Sequence, residues 1–113
     1  MITEIQIDIL VQKWAKLQRS QISGQIPWVG HHLIGRSNRL LRHDLSNILI
    51  CTLEEHTKIH CGEISDKYYI TDYLNEMKNV NYKTYLQESF LSEQDFYKER
   101  KQTIINSIKN LGE

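Results

Sequence analysis

The sequence predicts a small α+β domain in which a strand–loop–strand–helix unit sits between an N-terminal helix and a helical C-terminal half. Three observations carry this prediction. Two runs rich in apolar and β-branched residues, 26–34 and 47–51, flank a polar, arginine-rich loop. Helix-start signals stand at Thr3, Thr52 and Ser92. All five histidines fall between positions 31 and 60, where the second strand hands over to a helix. With 113 residues the chain suits one domain. We divide it into an N-terminal helix (1–24), a core (26–62) and a helical extension (63–113).

Thr3-Glu4-Ile5-Gln6 has the form of a capping box, and Ile7, Leu10, Val11, Trp14 and Leu17 then recur at helical spacing. The spacing predicts a first helix ending between Arg19 and Ser23, with Gly24 as its break. Ile26-Pro27-Trp28-Val29 begins an extended segment that continues through Gly30-His31-His32-Leu33-Ile34. A polar loop from Gly35 to Ser46 leads to a second strand, Asn47-Ile48-Leu49-Ile50-Cys51, and the two strands are expected to pair as a long-looped antiparallel hairpin. Thr52-Leu53-Glu54-Glu55 opens a helix running to His60 or Cys61 and closed by Gly62. Beyond it, helices are expected over 69–78, over 82–89 and from the Ser92 cap onward, the last with Phe96, Arg100, Ile104, Ile108 and Leu111 on one face. Trp14 and Trp28 are core candidates, and the six tyrosines read as packing groups with a wet hydroxyl.

Composition narrows the function classes. Formal net charge is zero, yet no acidic residue occurs from Ile9 to His43, where Lys13, Lys16, Arg19, Arg36, Arg39 and Arg42 contribute six positive charges. Residues 61–113 hold seven basic and nine acidic side chains. A one-sided basic field is the footprint of a protein that meets phosphates. No apolar stretch is long enough to span a bilayer, and the N-terminus lacks a signal-peptide pattern, so a cytoplasmic protein with no membrane partner is expected. Cys51 and Cys61 form no CxxC pair, and two cysteines are too few for a zinc-ribbon knuckle, which leaves two reduced, part-buried thiols.

The histidines are the most informative feature. His56 and His60 are four apart, so on a helix both imidazoles project from one face and can grip one metal ion. A His31-His32 doublet lies at the end of the first strand, and Asn47 lies between doublet and helix. Imidazole donors are neutral and leave a divalent ion its full charge for a phosphate, while a fourth, unmetallated imidazole can accept a proton from water.

In order and residue type, "HHLIGR", "LSNILIC" and "HTKIH" resemble the HNH endonuclease motif. That resemblance covers about a quarter of the chain and implies a ββα-metal (His-Me finger) core. It further implies His31, His56 and His60 as ligands of one divalent ion (Mg, Mn, Ni or Zn), and His32 as general base. Asn47 would lock the loop and orient His32. The roles of His31 and His32 could also be exchanged. Arg36, Arg39 and Arg42 of the loop, with Lys58 of the helix, are candidate phosphate contacts, and His43 reads as a loop histidine touching phosphate.

"GHHLIGR", "LLRHDLSN" and the "YLNEM…YKTYL" tail give a looser resemblance to phage NinG (Rap-type) recombination nucleases. This implies a phage-encoded protein in a bacterial cell acting on branched or nicked DNA. The expected function is therefore a metal-dependent DNA endonuclease, and the alternative is a catalytically silent nucleic-acid-binding protein of the same fold. One such unit reaches one strand, so double-strand cutting would call for a homodimer, with the tyrosine-rich tail either its surface or a cover for the core.

Overall fold

The computed structural model describes residues 1–112. The described residues form an α+β fold of five α-helices and one two-stranded antiparallel sheet. The helices are α1 (Glu4–Lys16), α2 (Leu53–His60), α3 (Asp72–Met77), α4 (Tyr82–Glu88) and α5 (Glu93–Leu111). The strands are β1 (Val29–His32) and β2 (Ile48–Cys51), and single 3-10 turns occupy Leu45–Asn47 and Asp66–Tyr69. Among the described residues no helix is long and apolar enough to cross a membrane.

Reciprocal capping boxes start α1 at Thr3, α2 at Thr52 and α5 at Ser92, as the sequence pattern requires. Helix α1 ends at Lys16, earlier than its apolar stripe predicts. The chain must turn back there: Ser20 Oγ accepts from the amides of Ile22 and Ser23, and Gly24 takes a left-handed φ of 74°. The helix expected over 69–78 is split, because Thr71 caps a new helix through the Leu74 amide after the 3-10 turn.

The core lies between α1, β2 and α5, where Ile7, Val11, Leu40, Ile48, Phe96, Tyr97 and Ile104 are sealed from water. Tyr82 and Tyr85 pack edge-on against Phe96, so α4 covers the core, whereas Tyr68 and Tyr73 are exposed. Trp28 is not a core residue. It is 56% exposed and lies beneath the Lys16 ammonium, 5.9 Å from the ring centroid. Leu17, just past the last turn of α1, is also exposed. Cys51 is buried, which pushes its thiol up to about 11, while Cys61 is exposed rather than part-buried, and both are free.

A two-stranded sheet is marginal in water, and here α1 and the turn after it complete it. Strands β1 and β2 pair with Gly30 opposite Ile50 and His31 opposite Leu49. The main-chain groups of the Gly30–Ile50 pair point outward, and a glutamine brackets each side. Gln12 of α1 donates from Nε2 to the Gly30 carbonyl (3.0 Å) and accepts the Gly30 amide on Oε1 (2.8 Å). Across the sheet, the Gln21 amide donates to the Ile50 carbonyl and the Gln21 Oε1 accepts the Ile50 amide. The glycine is needed because both neighbours come so close: a Cβ at position 30 would stand 2.6 Å from Ile48 Cγ2 of β2 and 3.2 Å from Ala15 Cβ of α1. The histidine doublet is thus held against both β2 and α1.

Candidate metal centre and its cleft

His31 and His32 are adjacent on β1, and strand alternation alone would send them to opposite faces. They nonetheless line one cleft, of about 430 Å³, because it straddles the β1 edge that Gln12 covers. Gln12, Val29, Arg36, His56 and His60 line it with them. Helix α2 delivers His56 and His60 from one face, with ring centroids 4.4 Å apart and Nε2 atoms 3.0 Å apart. The His31 ring meets both edge-on at 5.3 and 5.7 Å.

One nitrogen from each of His31, His56 and His60 lies within 4.8 Å of the others. Donors about 2.0–2.1 Å from a tetrahedral ion stand roughly 3.3 Å apart. Small ring rotations would be needed to close this set around one cation, and three neutral imidazoles suit zinc, nickel and related ions. These three residues could hold a metal. Burial first, and then the neighbouring His60 and His31, hold His56 below the usual imidazole range, which keeps it in the form that donates to a metal.

His31 carries a partner that sequence reasoning missed. Its Nε2 lies 2.8 Å from Asp66 Oδ2, on the 3-10 turn that follows α2. Since the carboxylate only accepts, Nε2 carries the hydrogen and Nδ1 keeps its lone pair for a cation. No spacing rule points to Asp66, which is brought back by the turn at Gly62, where φ is 81°.

His32 stands apart from the triad. Its Nε2 donates to the Arg42 carbonyl over 2.9 Å, so Nδ1 is the unprotonated nitrogen. Burial, assisted by the positive charge of Arg36, holds this imidazole below its ordinary range against the opposing pull of the Arg42 carbonyl and Asp8. The ring is neutral near pH 7 and has a free lone pair.

Asn47 is fully buried and closes the loop between the strands. Its Oδ1 accepts the Ile34 amide at 2.8 Å, and its Nδ2 donates to the carbonyls of Ile34 (2.9 Å) and Leu41 (3.1 Å). Its own carbonyl accepts the Leu33 amide. A carboxamide is the side chain that can both accept and donate here.

The basic residues divide. Arg36 is exposed beside the histidines. Arg39 and Arg42 are turned inward: Arg39 pairs with Glu4 and Glu93 and stacks on Tyr82, and Arg42 pairs with Glu4 and Asp8. With their charges already balanced, these two guanidinium groups are fixtures of the fold, unlike the free phosphate contacts expected of loop arginines. Lys58 pairs with Glu54 along α2 and does not line the cleft. His43 is not at the surface. It is 2% exposed, with Nε2 2.8 Å from Asp8 Oδ1 and Nδ1 buried without a hydrogen-bond partner among the described residues.

No family model, curated protein or solved structure matches the chain. The functional reading therefore rests on the cleft itself.

Proposed function

We propose that the protein is a metal-dependent endonuclease that hydrolyses DNA phosphodiester bonds, and that β1, β2 and α2 are its ββα-metal core. One observation carries the reading. Three imidazoles converge within 4.8 Å, and a fourth, in the same cleft, has its hydrogen committed to a carbonyl and its lone pair free.

Phosphodiester hydrolysis needs a base, positive charge at the phosphorus and relief of charge on the leaving oxygen. His31, His56 and His60 would hold the divalent ion, with Asp66 orienting His31. A bound ion supplies charge at the scissile phosphate and the leaving 3′ oxygen. His32 Nδ1 takes the proton from the attacking water and carries it as an imidazolium. Arg36 offers a counter-charge to a phosphate oxygen at the mouth of the cleft. Asn47 holds the loop that supplies the carbonyl behind His32.

The test is supercoiled plasmid incubated with the protein and magnesium, manganese, nickel or zinc, beside His32→Ala and a branched DNA substrate. Nicking that falls by roughly 10²- to 10⁴-fold in the variant is expected, the span that general-base catalysis contributes. Retardation of DNA on a gel without nicking, unchanged by His32→Ala, would replace the enzyme with a binding module.

A further inference from the structure

Resting on that reading, His32 acts as base only while Nε2 faces the Arg42 carbonyl at 2.9 Å. This carbonyl lies in a turn outside any helix or strand, so something else must hold it still. The holding groups come from α1, outside the strand–loop–strand–helix unit. Asp8 accepts from Arg42 Nε (3.0 Å) and Nη2, and Glu4 accepts from Arg42 Nη1 (2.8 Å). Asp8 Oδ1 also accepts from His43 Nε2 at 2.8 Å. Glu4 and Asp8 are four residues apart and share one face of α1. One carboxylate therefore binds the side chains of residues 42 and 43, while Asn47 holds the Leu41 carbonyl on the other side.

We propose that Asp8, assisted by Glu4, is a positioning residue for the general base. Through Arg42 and His43 it fixes the carbonyl that holds His32 Nε2–H and so aims Nδ1 into the cleft. Arg42 thereby serves as a bracket for one imidazole, while Arg36 of the same loop stays exposed at the cleft. The grip is bidentate and partly shielded, since the side chains of Arg42 and Asp8 are only 20% and 19% exposed. A surface pair of the same charges would hold little.

The experiment uses the full chain, first without metal or DNA. Asp8→Asn is isosteric and sets an NH₂ donor against the N–H groups of Arg42 or His43. In ¹H–¹⁵N spectra, with His32→Ala identifying the resonance, the wild-type His32 Nε2–H should be sharp and protected from solvent exchange. Folded Asp8→Asn should lose that protection while binding zinc or nickel as tightly as wild type. In the plasmid assay its kcat should fall roughly tenfold or more, within the range a general base supplies, with KM little changed. Arg42→Lys, which keeps one cation but cannot grip two carboxylates, should do the same. If Asp8→Asn is too unstable to purify, Arg42→Lys decides by the same readouts. A folded variant that keeps the protected His32 Nε2–H overturns the proposal. The spectral readout needs no turnover, so it stands or falls separately from the nuclease reading.

Discussion

Two imidazole–carboxylate pairs in this molecule have the same length and opposite consequences. His31 meets Asp66 at 2.8 Å in the cleft, and His43 meets Asp8 at 2.8 Å in the interior. The difference lies in the second ring nitrogen. In His43, Nδ1 is sealed without a partner among the described residues, and the carboxylate already balances Arg42, so the pair is a strut. In His31 the ring stands among two further imidazoles, so the pair can orient a donor toward a cation. A carboxylate beside a histidine does not make a site. What the far side of the ring faces decides.

The largest expected effect tests that distinction directly. Replacing both His56 and His60 with Ala removes two of three donors and should weaken zinc or nickel binding by more than about 100-fold in titration calorimetry, a larger loss than outer-shell changes cause. His43→Ala, assayed as folded protein, should bind as wild type does. Retained affinity in the double variant would erase the contrast.

Stability should sort the pairs the other way. His43→Ala leaves a buried gap and frees Asp8 and is expected to lower the unfolding free energy by about 2–3 kcal/mol in urea titrations with chelator present. Asp66→Ala, with its partly exposed carboxylate, should change that value by less than about 1 kcal/mol. The same Asp66→Ala should nonetheless weaken metal affinity by about 10- to 100-fold, as loss of an outer-shell carboxylate does. Unchanged affinity would reduce Asp66 to an incidental surface partner.

The smallest effect is a pH slope. Burial above all lowers the folded-state pKa of His43, despite the opposing hydrogen bond that the ring donates to Asp8. As pH falls below the unfolded value of about 6.5, the unfolded chain takes up a proton that the folded one refuses, so stability falls with it. Asp8 is also lowered: its burial raises the pKa, but hydrogen bonds from Arg42 and His43 outweigh that. Its contribution is present above about 3.8 and lost as pH drops through the folded pKa. In chelator, His43→Ala should flatten the first window, with His32 and His56, also lowered, accounting for what slope remains. An undiminished slope in His43→Ala would show that the buried pair does not control it.

Much of this architecture was legible from residues alone, because local rules decide it. The three capping boxes and the i, i+4 histidines need only neighbours within one turn, and they placed α1, α2, α5 and the His56–His60 pair. The approach of His31 to that pair is what the resemblance to the HNH motif implies. What escaped is set by contacts distant in sequence. Asp66 reaches His31 across 35 residues, and Asp8 reaches Arg42 across 34. A loop arginine looks the same in sequence whether it faces solvent or a carboxylate on another helix, so nothing in the sequence separates Arg39 and Arg42 from Arg36. Trp28 is a related case: aromatic size suggests burial, but the residue stands just ahead of β1 with the Lys16 ammonium over its ring and stays 56% exposed.

The two glutamines that bracket the hairpin bear on how the strand–loop–strand–helix unit could have been assembled or borrowed. A peptide excised from Val29 to His60 would carry every imidazole discussed here, but would leave its strands with raw edges and no neighbour behind Gly30. The convergence of the imidazoles is therefore a property of the first twenty-one residues as much as of the histidines. Transplanting it into another host would mean bringing that preceding stretch along.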